Sequence, residues 1–142
     1  MTDRKLALDA WEGLFRAQHE LFMAMAADFE NAAINQAEYD VLLTVTRAPN
    51  MTARLRDVTT NMLISQPSVS RLVDRMVSRG LITKTSDPED GRGVVLSATH
   101  AGARSFREVA TTHSRSIVER MSPLDADELC QLRTLTDKLR GR

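Results

Sequence analysis

Residues 65–80 read SQPSVSRLVDRMVSRG and have the pattern of a single helix with two different faces. The apolar residues recur at three- and four-residue steps and form one stripe: Val69, Leu72, Val73 and Met76. Ser65 is a favourable cap, Pro67 falls in the first turn, and Gly80 is a typical stop signal. The pattern therefore predicts a helix of about four turns.

The polar face of this predicted helix carries groups that match the major groove of DNA. It holds an amide, short hydroxyls and guanidiniums: Gln66, Ser68, Ser70, Arg71 and Arg75. Arg fits guanine edges, Gln fits adenine, Ser fits either, and hydroxyls or N–H groups at a helix start fit phosphate. Taken alone, such a window is more often a solvated amphipathic helix. The sequence on either side has to decide between the two interpretations.

The residues before Ser65 predict two further helices. Asn35 and Glu38 have the spacing of a capping box, and the helix that they begin ends before Pro49. Residues 55–62 form a short helix with an inward apolar side, and the chain then turns directly into the helix at Ser65. Two short helices joined by a tight turn, the second with polar residues at its start, indicate a helix-turn-helix.

After Gly80 the sequence changes from a helical period to the period of strands. Two β-branched runs, residues 81–85 and 94–98, flank the turn-rich segment DPEDGRG at 87–93. A hairpin directly after a DNA-reading helix is a wing, and Arg92 at its tip is placed to enter a minor groove. A surface loop with one ordinary arginine is the alternative that the segment alone leaves open.

Charge is unevenly distributed along a chain whose formal net charge is zero. Residues 1–50 hold four basic and eight acidic side chains, a balance of −4. Residues 65–84 hold four basic side chains and one acidic side chain, a balance of +3. A local positive patch attracts phosphate even when the whole chain is neutral.

Long helices with wide apolar stripes are predicted at both ends of the chain. The first helix covers residues 3–29, and the second begins at a cap at Thr99 and is about twenty residues long. A last helix follows, for which Ser122 is the cap, Pro123 the proline of the first turn and Asp125 the acidic residue of the first turn. A chain this short cannot cover both stripes, so we expect them to pack on a second copy. The expected interface residues are apolar: Leu6, Trp11, Leu129, Leu132, Leu135 and Leu139. Cys130, in the last helix, is expected to be a buried apolar thiol.

Composition and motifs argue against several classes of protein. The 142 residues are 42% hydrophobic and 27% charged, an ordinary profile for one domain, and the single cysteine excludes an internal disulfide framework. Neither a leader nor a membrane span is visible, so a cytoplasmic protein is expected. Catalytic triads, phosphate loops and HExxH are missing, and His19, His100 and His113 lack metal-ligand spacing. We expect neither an enzyme nor a cofactor.

The middle of the chain resembles the MarR (multiple antibiotic resistance regulator) family of winged-helix repressors. The resemblance is carried by segments that occur together at the family's spacing: LRDV at 55–58, LISQPSVSRLVDRM at 63–76, RGLI at 79–82, DPEDGRG at 87–93 and LSATHAG at 96–102. The chain departs from the family at Gly91 and Gly93, where Arg and Ala are frequent, and at Ala98, where Leu is usual. The departures predict a wing that is more flexible and less basic than in relatives.

The resemblance implies a mainly α fold with a small β-hairpin wing. A winged helix-turn-helix over residues 35–99 would be flanked by dimerisation helices at 1–30 and 100–142. The implied function is a homodimeric transcriptional repressor that binds a palindromic double-stranded operator. Residues 65–75 would then face the major groove and Arg92 the minor groove, with Asp90 holding Arg92 in place.

The resemblance also implies an effector, a small aromatic or phenolic ligand that releases the DNA. The candidate residues for its cleft are Trp11, Phe15, Arg16, His19 and Tyr39, although each of them also suits ordinary core or surface positions. The alternative for the whole chain is a helical dimerisation module that binds only protein. That alternative leaves the wing and the arginine-bearing helix face unexplained.

Overall fold

The computed structural model describes residues 3–62 and 66–142, which form two compact units. One unit contains the chain up to Met25 together with His113–Arg142, and the other contains Ala26–Thr112. Within the described ranges, no helix is long and apolar enough to cross a membrane.

The elements follow one another in the order that the winged-helix prediction requires. They are α1 (Arg4–Met25), α2 (Gln36–Arg47), β1 (Thr52–Arg54), α3 (Leu55–Asn61), α4 (Gln66–Ser78), β2 (Ile82–Ser86), β3 (Val94–Ala98), α5 (His100–Met121) and α6 (Ala126–Leu139). Mostly helical structure with one small antiparallel sheet confirms the predicted fold class. The predicted turn at residues 63–65 lies outside the described part of the chain.

The predicted helix starts at Asn35 and Thr99 are confirmed by their hydrogen bonds. Asn35 Oδ1 accepts the N–H of Glu38 at 2.8 Å, and Glu38 Oε1 accepts the N–H of Asn35 at 2.9 Å. At the start of α5, Thr99 Oγ1 accepts the N–H of Gly102 at 3.0 Å. Each contact satisfies a backbone donor that the first helical turn leaves without an intrahelical partner.

The core of the second unit confirms the apolar stripe of α4. Val69, Leu72, Val73 and Met76 are at most 2% exposed and pack with the buried residues of α2, with Val58 and with Leu96. Helix α4 ends at Ser78, and Gly80 follows with a φ of 73°, a left-handed conformation that favours glycine.

The sheet contains one strand that the sequence did not predict. Its order is β1-β3-β2 with antiparallel pairs, so the predicted hairpin gains β1 as a third strand along β3. Residues 52–54 are too few to show a period of two, and their conformation is fixed by pairing with Ser97, Leu96 and Val95. Thr52 Oγ1 and Ser97 Oγ lie 2.8 Å apart and tie the two strands together.

At the two ends of the chain, the structure corrects three details of the sequence prediction. The helix predicted over residues 3–29 ends at Met25, and a 3-10 turn occupies Ala26–Phe29. Helix α6 is capped by Asp125, whose Oδ1 accepts the N–H of Glu128 at 2.9 Å, so Ser122 and Pro123 precede the helix. Cys130 is exposed. The prediction that its thiol is buried was wrong, because this chain does not cover the apolar stripe of α6. No residue of α1 or α6 is buried.

Candidate nucleic-acid interface

The polar face of α4 is open to solvent over its described length. Pro67, Ser68, Ser70, Arg71 and Arg75 are all exposed, while the apolar stripe of the same helix is buried. Gln66 is the first residue of α4, but its side chain and the whole of Ser65 lie outside what the structure describes. Helix α4 thus presents hydroxyls and guanidiniums on one surface and packs into the core with the other.

The basic side chains around α4 fall into two groups. Arg79 forms an ion pair with Glu38, and Lys84 Nζ lies 3.3 Å from Asp74 Oδ1. Arg71 and Arg75, in contrast, have no carboxylate within ion-pair distance among the described residues. The positive patch inferred from the sequence is therefore narrower than the charge count suggested, because Arg79 and Lys84 are neutralised by this chain's own carboxylates.

Arg79 holds the end of α4 against the start of α2. Its guanidinium donates to the Glu38 carboxylate through one nitrogen and to the backbone carbonyl of Ala33 through another. The Glu38 side chain is 4% exposed and also closes the capping box of α2. A buried carboxylate is costly without a partner, so Arg79 is a structural residue and not part of the exposed patch.

The wing is a closed turn with its arginine at the surface. Asp87 donates its N–H to the carbonyl of Gly93 at 3.0 Å, and Gly93 donates its N–H to the carbonyl of Asp90 at 2.8 Å. Asp90 Oδ1 accepts the backbone N–H of Arg92 at 3.1 Å. Asp90 therefore fixes the backbone of the tip, and no ion pair joins it to the exposed Arg92 guanidinium in the described structure.

Of the two glycines beside Arg92, one is closely packed and the other is not. A Cβ at Gly93 would lie 3.1 Å from Asp87 Cβ and 3.2 Å from the carbonyl oxygen of Asp90, whereas a Cβ at Gly91 would meet nothing within 4 Å. Glycine at position 93 lets the two arms of the turn approach each other. The added flexibility predicted from Gly91 and Gly93 stays a prediction, and Gly93 has less free space around it than Gly91.

The five residues predicted to bind an effector are divided between the two units. Trp11, Phe15, Arg16 and His19 lie on α1, and all four are exposed. Trp11 stacks on Phe15 with ring centroids 5.3 Å apart, and Arg16 Nε pairs with Glu12 Oε1 at 2.8 Å.

Tyr39 is surrounded by aromatic rings of its own unit. Its ring stacks on Phe106 at 4.9 Å and meets the edge of Phe29 at 5.6 Å. Burial raises the pKa of the Tyr39 phenol above its ordinary value, an effect that nearby Arg47 opposes and Asp40 reinforces. These contacts are those of a core aromatic residue.

The unit formed by the chain ends has a large apolar groove instead of a covered core. Its volume is about 600 Å³, and its lining includes Leu14, Leu21, Phe22, Met25, Leu129 and Leu132. Further along the same helices, Leu6 is 66% exposed, Trp11 63%, Leu135 59% and Leu139 73%. Isolated apolar side chains at a surface are common, whereas several of them on two helices of the same unit are typical of a surface that binds another molecule.

Comparisons with known proteins agree with this geometry. The sequence model of the MarR family matches residues 34–93. The chain is similar to the HTH-type transcriptional repressor MdtR of Bacillus subtilis (strain 168), at 26% identity over 140 residues, covering 98% of this chain and 84% of that protein.

Two solved structures from Streptomyces coelicolor share the fold. AbsC, a MarR family transcriptional regulator, superposes with a TM-score of 0.81 at 22% identity, covering 100% of this chain and 98% of AbsC. Sco3205, a MarR family transcriptional regulator in complex with DNA, superposes with a TM-score of 0.78 at 18% identity, covering 99% of this chain and 87% of Sco3205. The exposed face of α4, the wing and these matches together identify residues 34–93 as a winged helix-turn-helix of the MarR type, within a chain that shares the fold of MarR family transcriptional regulators.

Proposed function

We propose that this protein is a homodimeric repressor that binds a palindromic duplex operator through α4 and the wing. The observation that carries the proposal is the sorting of the arginines. Arg71, Arg75 and Arg92 have exposed guanidiniums with no carboxylate partner among the described residues, whereas Arg79 and Arg54 are paired internally. An exposed cation that the protein does not neutralise is available to a phosphate or a base edge.

Helix α4 would supply base readout and the wing a single charge. Arg71 and Arg75 stand with Ser68 and Ser70 on the solvent face of α4, and these side chains suit guanine edges and phosphate oxygens. Arg92 is the only basic residue between Lys84 and Arg104, so a minor-groove contact by the wing tip depends on it alone. The first turn of α4 also offers backbone N–H groups to phosphate.

A second copy of the chain is the partner that best suits the terminal helices. The exposed apolar side chains lie on both α1 and α6. In a dimer with a two-fold axis, this surface of one copy would pack against the same surface of the other copy. Leu6, Trp11, Leu129, Leu132, Leu135 and Leu139 are the expected interface residues. A two-fold dimer would place two α4 helices on related half-sites, which is why the operator is proposed to be palindromic. The repressor role is supported by the similarity to MdtR, itself a transcriptional repressor.

Mutation of the two α4 arginines tests the proposal. Footprinting on DNA upstream of its own gene and of neighbouring genes would locate the operator, and anisotropy titrations would measure its affinity. Arg71→Ala or Arg75→Ala should weaken binding by about 1–3 kcal/mol if the lost contact is bidentate to guanine. Arg107→Ala, an exposed arginine on α5, is the matched control and should bind like the wild type. Unchanged affinity in both α4 variants would contradict the groove assignment.

Light scattering at tens of micromolar tests the dimer separately. A mass of two chains is expected, and a monomer mass would contradict the proposed interface. The alternative, a dimerisation module that binds only protein, predicts a dimer mass but no salt-dependent shift of duplex DNA. Release of DNA by a small aromatic or phenolic effector stays a prediction, and the aromatic packing of Tyr39 leaves the exposed residues of α1 as its candidates.

A further inference from the structure

Arg54 lies where the small sheet joins the helix-turn-helix, and its side chain reaches the wing. It is the last residue of β1 and occupies the cap position of α3, but its side chain makes no capping hydrogen bond. Its Nε lies 3.0 Å from Asp87 Oδ2, and its Nη2 lies 3.0 Å from Glu89 Oε2. One guanidinium on the helix-turn-helix side thus holds two carboxylates at the start of the wing turn.

Asp87 connects this ion pair to both arms of the turn. Its side chain is 5% exposed, and its Oδ1 accepts the N–H of Glu89 at 2.9 Å. Its own N–H bonds to the carbonyl of Gly93 at 3.0 Å, on the returning arm. Gly93 also packs so closely on Asp87 that an added Cβ would lie 3.1 Å from Asp87 Cβ. A buried carboxylate needs a cation nearby, and in the described structure Arg54 provides it.

We propose that Arg54 is a positioning residue for DNA binding. It fixes the wing to the helix-turn-helix and thereby holds Arg92, at the wing tip, in the position in which it contacts DNA. The proposal rests on the proposed function, because it takes Arg92 to be a DNA contact. Arg54 itself would not contact DNA, since two carboxylates of the wing already neutralise its guanidinium. Without this link the turn would have to be ordered when DNA binds, which lowers affinity.

Limited proteolysis tests the link without DNA. Trypsin cuts after basic residues, and cleavage after Arg92 reports on the wing because no other basic residue lies between Lys84 and Arg104. Arg54→Ala and Asp87→Asn should both speed cleavage after Arg92 in the intact dimer, by about tenfold if the turn opens locally. The control is Arg56→Ala, an exposed arginine two residues away on α3, which should be cut like the wild type. Equal cleavage rates in the wild type, Arg54→Ala and Asp87→Asn would overturn the proposal.

A milder variant keeps the test valid if either substitution prevents folding. The Glu89 side chain is 80% exposed, so Glu89→Gln removes the outer ion pair and leaves Asp87 paired with Arg54. This variant should fold, with the circular dichroism spectrum of the wild type, and should be cleaved at a rate between those of the wild type and Arg54→Ala. Cleavage of Glu89→Gln at the wild-type rate, with Arg54→Ala unable to fold, would also overturn the proposal.

Salt dependence of operator binding separates positioning from direct contact. Arg54→Ala should lower affinity about tenfold at every salt concentration and leave the slope of log affinity against log salt unchanged. Arg92→Ala should lower that slope by about one unit, because it removes one cation from the phosphates. A slope lowered by one unit in Arg54→Ala would make Arg54 a DNA contact and refute its positioning role. If the wild type bound no duplex at all, the proposed function would fail, while the proteolysis would still report on the link between Arg54 and the wing.

Discussion

Replacement of Gly102 by alanine gives the sharpest test of how α5 is seated on the winged unit. An alanine Cβ at this position would lie 2.0 Å from the carbonyl oxygen of Leu81 and 2.9 Å from its carbonyl carbon. The same oxygen accepts the N–H of Thr99 at 3.1 Å, and Thr99 Oγ1 accepts the N–H of Gly102 at 3.0 Å. The first turn of α5 and the residue before β2 are therefore in direct backbone contact.

The expected cost follows from the movement that an alanine would force. Ordinary contact begins at about 3.4 Å, so the helix and Leu81 would have to separate by more than 1 Å. This separation breaks the two hydrogen bonds that Thr99 donates to the Leu81 carbonyl oxygen, one from its N–H and one from Oγ1, each at 3.1 Å. The two bonds are worth about 1 kcal/mol each, and overpacking of a rigid contact adds about 1–3 kcal/mol. Alanine recovers about 0.5–1 kcal/mol of helix propensity relative to glycine. The free energy of unfolding should thus fall by about 2–4 kcal/mol.

Urea unfolding followed by circular dichroism, at one fixed protein concentration, measures this loss. The midpoint should fall while the slope with urea stays the same, because the surface exposed on unfolding does not change. Gly91→Ala is the matched control, since a Cβ there meets nothing within 4 Å, and its stability should stay within about 0.5 kcal/mol of the wild type. If Gly102→Ala were as stable as Gly91→Ala, the close contact between α5 and Leu81 would be wrong.

Four further substitutions test the ion pair between Arg79 and Glu38, the left-handed backbone at Met51 and the carboxyl group of Asp40. Arg79→Ala leaves the buried Glu38 carboxylate without its cation, so the free energy of unfolding in urea should fall by about 1–3 kcal/mol. Glu38→Gln keeps the capping hydrogen bond and leaves only a half-exposed arginine without a partner, so the loss of stability should be smaller. Met51 has a φ of 50°, so Met51→Gly should raise the urea midpoint by relieving about 1 kcal/mol of left-handed strain. Burial raises the pKa of the Asp40 carboxyl above its ordinary value of 3.8, so its ionised form makes the folded state less stable at neutral pH. In thermal unfolding at pH 7, Asp40→Asn should therefore be more stable than the wild type. The difference should disappear below pH 3.8, where the carboxyl is protonated in both the folded and the unfolded state.

Local features of the chain could be predicted from the sequence because their causes lie within a few residues. The buried stripe of α4 and the capping box of α2 depend on neighbours three or four positions away, which the sequence displays directly. Strand β1 was missed because three residues carry no readable period, and its conformation depends on residues more than forty positions later. The exposure of Cys130 was missed because a stripe predicts an apolar face without saying which molecule covers it.

The roles of the arginines could not be predicted from the sequence, because each pairing joins distant parts of the chain. Arg79 and its partner Glu38 are 41 residues apart, and Arg54 and Glu89 are 35 residues apart. The charge balance of residues 65–84 counts Arg79 and Arg75 alike, although only Arg79 has a carboxylate partner in the fold. Asp90 shows the opposite case, since it lies two residues from Arg92 and was expected to hold that residue in place, and its carboxylate accepts the backbone N–H of Arg92.

Buried carboxylates explain how a chain with no net charge can still present a positive surface. The side chains of Glu38 and Asp87 are 4% and 5% exposed, and a carboxylate with so little access to water needs a cation close by. Each of them therefore fixes the position of one arginine, Arg79 at the end of α4 and Arg54 at the base of the wing. The acidic residues of the chain are in this way partly used to hold the two elements that would meet DNA. Within α4 and the wing, Arg71, Arg75 and Arg92 have no such partner among the described residues, so their charge stays available to an external anion.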